Sequence, residues 1–132
     1  MAMTHRVVGF GVDVVEIAEF DRMPFEDNAS FYRRCFSAEE IQYCRSRPAP
    51  AQHFAARYAA KEAAVKALSA ISSLLPWNVE VRREASGRTH LRFWDEATST
   101  WRSELDGHQA FVSLSHSQSI ATAVVMLCEK AS

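Results

Sequence analysis

The sequence has little of what marks secreted, zinc-stabilised or nucleic-acid-binding proteins. Its three cysteines, Cys35, Cys44 and Cys128, are an odd number, lie far apart and contain no C-x-x-C pair. Neither a disulfide framework nor a structural zinc site is therefore expected, and reduced thiols in the cytoplasm are the simpler interpretation. The formal net charge of −1 gives no overall basic field, so we expect no binding to nucleic acid, although one small basic site for a phosphorylated ligand is compatible with it.

Long hydrophobic runs are also missing. The apolar stretch near the start of the chain is interrupted by Asp13 and Glu16, which makes it too short and too polar for a membrane span or a signal peptide. Apolar residues make up 48% and charged residues 23% of the sequence, which is the balance of a soluble globular protein. We expect one cytoplasmic domain over residues 1–132, with no membrane segment.

Helices are predicted mainly in the first half of the chain. Residues 16–23 and 31–36 favour two short helices. Residues 37–46 begin with Ser-Ala-Glu-Glu, which has the S-x-x-E form of a capping box and predicts a helix that ends before two prolines. Residues 51–70 are rich in strong helix formers and contain neither glycine nor proline, so they predict the longest helix of the chain.

Strands are predicted at both ends of the chain. The segments with β-branched and aromatic residues are residues 7–15, 80–84, 90–94, 110–115 and 120–127. A short loop with Gly87 joins the second and third of them and predicts a hairpin. Asp95 is predicted to cap a further helix that ends near Leu105. Because a helical block is followed by separate strands, the order indicates the α+β class.

Asp13 is the first candidate for chemistry, because it is a carboxylate near the end of an apolar strand, beside Gly11. A buried charge at such a position is costly unless it meets a cation or hydrogen-bond donors. An ordinary alternative is that Asp13 caps the turn formed by the residues after it, since aspartate is favoured at helix starts. Spacing alone leaves both interpretations open.

Two lines of polar residues follow neighbouring faces of the predicted long helix. They are Tyr58, Glu62 and Lys66, and beside these His53, Arg57 and Lys61. One interpretation is a solvated surface in which Glu62 pairs with Lys66, worth only ~0.3–0.5 kcal/mol. The other is that Glu62 and Asp13 hold a hard cation beside basic groups that meet phosphate oxygens. Mg²⁺ prefers such a site, with one or two carboxylates, water and substrate phosphates.

His116 lies among alternating serines in the stretch VSLSHSQS. A Ser–His hydrolase is a poor interpretation, because no G-x-S-x-G motif is present and the adjacent Ser115 and His116 would face opposite sides of a strand. A generic nucleotide hydrolase is also a poor interpretation, because the sequence has no phosphate-binding loop. A histidine that is simply hydrogen-bonded at a strand end remains the alternative.

Five segments together resemble, in order, the small holo-acyl-carrier-protein synthase family of 4′-phosphopantetheinyl transferases. They are GFGVDVVEI (residues 9–17), RCFSAEEIQYC (34–44), FAARYAAKEAAVKALS (54–69), GRTHLRF (87–93) and FVSLSHSQSIATAVV (111–125). The most specific pieces are G-V-D in the first strand, the R-x-A-A-K-E-A-x-x-K-A block and the S-L-S-H strand. The resemblance covers nearly the whole chain.

The resemblance implies an α+β fold in which an antiparallel sheet packs on a long helix, and a homotrimer with coenzyme A between adjacent subunits. It implies a reaction in which a serine hydroxyl of an apo acyl carrier protein attacks the β-phosphate of coenzyme A and releases adenosine 3′,5′-bisphosphate. A non-catalytic homologue that binds coenzyme A or a carrier protein as a regulatory subunit is the alternative.

The resemblance also assigns residues. Asp13 and Glu62 match the family's ligands for Mg²⁺. Lys61 and Lys66 match lysines near the phosphates, with Lys66 expected to make the direct contact. The remaining matches to the coenzyme site are Arg57 and His116.

The chain departs from the family at two places. Residues 69–73 contain no glycine where family members usually have one. The segment EIAEFDRM has Arg22 as its one basic residue, whereas the first helix of the family often presents basic residues to an acidic carrier helix. Two alternatives are therefore open: docking of the carrier uses Arg33, Arg34 or Arg45 instead, or the partner is an atypical carrier domain.

Overall fold

The computed structural model describes residues 6–130, which form an α+β fold. Within this range the helices are α1 Ile17–Asp21, α2 Ala29–Cys35, α3 Ala38–Arg45 and α4 Pro50–Ala67. The strands are β1 Arg6–Glu16, β2 Val79–Arg83, β3 Thr89–Asp95, β4 Thr100–Arg102, β5 Glu104–Leu105, β6 His108–His116 and β7 Ile120–Glu129. None of the helices in residues 6–130 is long and apolar enough to cross a membrane.

The strands form two antiparallel sheets. The larger has the order β1-β7-β6-β5, and the smaller has the order β2-β3-β4. Helix α4 packs on the inner face of β1 and β7. The α+β class and the antiparallel sheet against a long helix are therefore confirmed.

Two glycines let β1 lie directly on the backbone of α4. A Cβ atom at Gly11 would stand 1.8 Å from the carbonyl oxygen of Ala63, and one at Gly9 would stand 2.2 Å from that of Ala67. No side chain fits at these distances. Since residues two apart in a strand share a face, Asp13 follows Gly11 on the face that meets α4.

The capping box predicted at the start of α3 is confirmed. The amide of Glu40 donates to Ser37 Oγ at 3.3 Å, and the amide of Ser37 donates to Glu40 Oε1 at 2.8 Å. This turn buries Glu40 against α4 and β2, a position that matters below.

The helix predicted after Asp95 is wrong, since β4 and β5 occupy that region. Asp95 ends β3, and its carboxylate accepts from the amide of Ala97 and the guanidinium of Arg102 instead of capping a helix. The chain reverses at Ser99, whose φ of 52° is incompatible with a continuing helix. Trp101 then pairs across the strands with Trp94, their rings 5.4 Å apart.

The outer face of the larger sheet is apolar, and we call it the apolar sheet face. Phe10, Val12 and Val14 of β1 are 65%, 56% and 59% exposed on it. Val124 of β7 pairs with Val12 in the ladder, and Phe111 of β6 lies one strand further. An exposed apolar surface of this kind marks an interaction site in soluble proteins.

Candidate active site

Asp13 lies in the middle of β1 with its carboxylate 19% exposed. Its Oδ1 accepts from Lys66 Nζ at 3.0 Å, and the same ammonium donates to the carbonyl oxygen of Val12 at 3.0 Å. The hydroxyl of Thr122 donates to the carbonyl oxygen of Asp13 at 2.9 Å and holds this part of β1 against β7. The interpretation of Asp13 as a helix cap is wrong, because α1 begins only at Ile17.

Glu62 is half-buried on the face of α4 that turns toward Asp13. The phenol of Tyr58 lies near both carboxylates. Its pKa is raised to about 12 by burial first, then by the charge of Glu62 and a hydrogen bond to it, and also by the charge of Asp13. Lys66 binds Asp13 and not Glu62, so the expected Glu62–Lys66 surface pair is wrong. The structure therefore brings Asp13, Glu62 and Lys66 together.

We call the place where Asp13 of β1 meets Glu62 and Lys66 of α4 the carboxylate cleft, and its donor set suits a magnesium ion. Within residues 6–130 no group of three or more His, Cys, Asp or Glu side chains is placed to hold a metal. Two carboxylates alone do not make a closed transition-metal site, but they match Mg²⁺, which keeps water and substrate phosphates in its shell. Asp13 and Glu62 thus fit the ion that the sequence predicts.

A solvated surface was one interpretation of the polar lines of the long helix, but the structure buries two residues of the second line. Arg57 is 4% and Lys61 is 1% exposed. The ammonium of Lys61 donates to Glu40 Oε1 at 2.8 Å and to the carbonyl oxygen of Val79. With its ammonium bound to these two protein oxygens, Lys61 is not placed to contact a phosphate directly, which is the contact that the resemblance implies for Lys66.

Arg57 opens into a cleft of about 350 Å³ between α3, α4 and β2, which we call the arginine pocket. Tyr43 lies in its wall, and the guanidinium carbons of Arg57, Arg47 and Arg83 stand 4.2, 5.6 and 5.8 Å from the centre of that ring. Arg83 also donates to the Tyr43 hydroxyl at 3.2 Å. Among residues 6–130 these three arginines form no ion pair, and Arg57 Nε has no hydrogen-bond partner.

His116 ends β6 close to the start of α4, with its ring 6.4 Å from that of His53. The pKa of His53 is lowered by burial first, then by the positive charges of Arg57 and Arg47 and by His116. The structure thus places His53, Arg57 and His116 in one cationic region. The arginine pocket is also lined by Glu39, Glu40 and Glu84, which face Arg82, Lys61 and His90 respectively. Within residues 6–130 Arg57 and Arg83 therefore keep their positive charge unpaired, and unpaired guanidinium groups suit an anionic ligand such as phosphate.

Sequence reasoning missed Tyr43 and Arg83, which complete the arginine pocket. Arg83 ends a strand of the smaller sheet and Tyr43 lies on α3, so neither has a spacing relation to Arg57 in the sequence. The capping box was the one usable signal, because it fixes which side of α3 faces α4.

Comparison with known proteins places this chain in a family. A model described as the 4′-phosphopantetheinyl transferase superfamily matches residues 9–125. The chain belongs to the 4′-phosphopantetheinyl transferase superfamily. A curated holo-[acyl-carrier-protein] synthase of Geobacter metallireducens is 37% identical over 123 residues, which cover 92% of this chain and 97% of that protein.

Solved structures of superfamily members have the same fold. A holo-(acyl-carrier-protein) synthase of Bacillus anthracis in complex with CoA (3′,5′-ADP) is 27% identical with a TM-score of 0.69, covering 97% of this chain and 99% of that one. The ACPS–CoA complex of Chronobacterium ammoniagenes is 28% identical with a TM-score of 0.73, covering 99% and 100%. The superfamily fold is therefore shared over essentially the whole chain.

Proposed function

We propose that this protein is a holo-[acyl-carrier-protein] synthase, which transfers the 4′-phosphopantetheine group of coenzyme A to a serine of an apo acyl carrier protein. The main observation that supports this function is that Asp13, Glu62 and Lys66 lie together in one cleft between β1 and α4. The curated relative from Geobacter metallireducens, which carries this name, supports the same function over 92% of the chain. We also propose that the protein works in the cytoplasm.

The ligand that suits both cationic regions is coenzyme A, because it has phosphates at two separate places. Arg57 and Lys66 lie nine positions apart on α4, which is about 13 Å along a helix axis. Lys66 is 54% exposed and able to turn to the pyrophosphate, while Arg57 with its neighbours suits the phosphate on the ribose. His116 lies at the mouth of the second region, next to His53.

Asp13 and Glu62 would hold Mg²⁺ in the cleft. When bound, this ion supplies positive charge to the pyrophosphate that breaks in the reaction. The serine oxygen of the carrier protein forms the new bond to the β-phosphorus while its proton passes to water, and the bond from that phosphorus to the bridging oxygen breaks. The leaving group is adenosine 3′,5′-bisphosphate. The ammonium of Lys66 lies where it can stabilise the negative charge of the phosphates during this step.

A homotrimer is the assembly that we propose, with coenzyme A bound between adjacent subunits. The support on this chain is the apolar sheet face, where Phe10, Val12 and Val14 are more than half exposed. Burying such side chains against another subunit is favourable by roughly 25 cal/mol per Å² of apolar surface. The face belongs to β1, the strand that carries Asp13, so the assembly surface and the carboxylate cleft share one strand.

The test is transfer itself. The protein is incubated with coenzyme A, Mg²⁺ and an apo acyl carrier protein, and the carrier is weighed by mass spectrometry. A mass gain of one phosphopantetheine group per carrier supports the proposal, and an unchanged carrier mass contradicts it. Calorimetric binding of coenzyme A without any transfer would instead favour the non-catalytic, regulatory homologue.

A further inference from the structure

The most enclosed ion pair of the described chain joins Glu40 and Lys61, whose side chains are each 1% exposed. Besides Lys61, the carboxylate of Glu40 accepts from the amide of Ser37 at 2.8 Å and from the amide of Val81 at 2.8 Å. The ammonium of Lys61 also donates to the carbonyl oxygen of Val79. The pair therefore connects α3, α4 and β2 at one point.

Glu40 of this pair lines the arginine pocket, and Lys61 lies one helical turn from the pocket on α4. Tyr43 follows Glu40 by three positions on α3, and Arg57 precedes Lys61 by four positions on α4. Glu40 and Arg57 both line the pocket. Even so, Glu40 is bound to Lys61, and Arg57 forms no ion pair with any residue of the described part of the chain.

We infer that Lys61 is an internal counter-ion, which neutralises Glu40 and so keeps the guanidinium of Arg57 available to a phosphate of the ligand. Without Lys61, a carboxylate would stand uncompensated in the wall of the pocket and oppose an anion bound there. Lys61 is thus a positioning residue that acts through Glu40 and Arg57, and it does not contact the substrate. The inference rests on the proposed function, because it takes the anion to be part of coenzyme A.

The size of the effect follows from Coulomb's law. One unit of charge about 10 Å from a phosphate, at an effective dielectric constant of about 20, changes affinity by roughly tenfold. The burial of the pair limits screening by salt, so the effect persists at physiological ionic strength. A charge effect of this kind differs from loss of structure, since it depends on which of the two partners is removed.

The experiment compares single and double variants by calorimetric titration with adenosine 3′,5′-bisphosphate. Lys61→Met should weaken binding by roughly tenfold, because it leaves Glu40 charged. Lys61→Met/Glu40→Gln should return affinity to near the wild-type value, because it removes both charges. Glu40→Gln alone should bind at least as tightly as the wild type. Lys130→Met and Lys130→Met/Glu104→Gln make the same changes in an exposed pair and should leave affinity unaltered.

Steady-state kinetics and thermal unfolding complete the test. In Lys61→Met the apparent KM for coenzyme A should rise while kcat stays near the wild-type value. If Lys61→Met and the double variant lose affinity equally, and in proportion to the fall in their melting temperatures, the role of Lys61 is structural. That result would overturn the inference. Tighter or unchanged binding in Lys61→Met would overturn it as well.

Two controls separate this inference from the proposed function. Arg57→Ala should lose affinity for adenosine 3′,5′-bisphosphate if the arginine pocket is the phosphate site. If the wild type transfers phosphopantetheine but does not bind this probe, the proposed function stands and the inference fails; if it does neither, both fail. If the wild type binds and Arg57→Ala does not, the proposed site stands, and the outcome for Lys61→Met decides the inference alone. Should Lys61→Met not fold, Glu40→Gln still decides it, since weaker binding in that variant contradicts the charge argument.

Discussion

The two polar lines of α4 look alike in the sequence but differ in the structure. The line of Tyr58, Glu62 and Lys66 opens into the cleft with Asp13, where the ammonium is half exposed and free to turn. The line of Arg57 and Lys61 is buried against α3 and β2. The first line presents groups that can exchange partners, whereas the second holds charges in a fixed arrangement. What separates them is the neighbouring elements, not the residue types.

The largest expected effect lies in the first line. Asp13→Asn and Glu62→Gln keep the shape of the side chains but remove the charge that we propose holds Mg²⁺, so transfer should fall by about 10³-fold or more. Radiolabelled or mass-based transfer assays measure the loss, and circular dichroism checks that the fold is kept. Glu19→Gln, an exposed carboxylate outside the cleft, is the matched control. Full activity of both variants, or full activity after chelation of Mg²⁺, would remove the metal site from the proposal.

The second effect concerns the apolar sheet face. Val12→Asp places a charge where another subunit is expected to cover the sheet, so the proposed trimer should dissociate and transfer should fall with it. Light scattering measures the mass of the species, and the assay is repeated over a range of dilutions. Thr98→Asp, on the exposed turn between β3 and β4, should change neither. A wild-type protein that is monomeric and keeps full turnover at all dilutions would contradict the proposed trimer.

The third effect is on stability and tests how closely the two lines are held to β1. Gly11→Ala adds a methyl group 1.8 Å from the carbonyl oxygen of Ala63, so the strand and helix must separate. We expect the free energy of unfolding to fall by roughly 1–3 kcal/mol, as for other overpacked sites. Urea denaturation measures it.

The control for Gly11 is Gly107→Ala, where an added methyl group meets nothing within 4 Å. Its φ of 73° is left-handed, so only a backbone cost of about 1–2 kcal/mol is expected. A distinguishing measurement is therefore transfer activity, which should fall in Gly11→Ala and persist in Gly107→Ala. Equal activity in the two variants would mean that the β1–α4 contact does not set the site.

The smallest effect concerns docking of the carrier protein, outside both lines. Arg33 and Arg34 are exposed in the last turn of α2, and the guanidinium of Arg33 lies 5.6 Å from the centre of the Phe25 ring. Arg33→Glu/Arg34→Glu should raise the apparent KM for the carrier by several-fold while that for coenzyme A stays unchanged. Arg22→Glu should matter less. The wild type should lose more carrier efficiency with rising salt than the double variant, and identical salt slopes would place docking elsewhere.

Local signals in the sequence predicted local structure well. The capping box at Ser37 and the hairpin around Gly87 are both confirmed, because each depends on hydrogen bonds between residues a few positions apart. The helix after Asp95 failed because the cross-strand contact of Trp94 with Trp101 outweighs a weak capping signal. Helix and strand propensities describe single residues and do not include contacts between strands.

The candidate site was predictable to the extent that it depends on the resemblance. Asp13, Glu62 and Lys66 were named from motifs, and the structure brings them to one cleft. The burial of Lys61 was not predictable, because its partner Glu40 comes 21 positions earlier and on another helix. A charge pattern on a helix indicates which groups share a face, but only packing shows whether that face meets water.

The contact of Gly9 and Gly11 with α4 has a consequence for the distance between the two carboxylates. At this contact, the carbonyl oxygens of Ala63 and Ala67 meet two strand residues that have no side chains. Backbone atoms in direct contact cannot change rotamer or be repacked, unlike the side chains of a hydrophobic core. Asp13 lies on β1 and Glu62 on α4, so this contact sets the distance between the elements that carry them. Volume changes in the core therefore leave this distance unchanged, whereas one methyl group at residue 11 increases it.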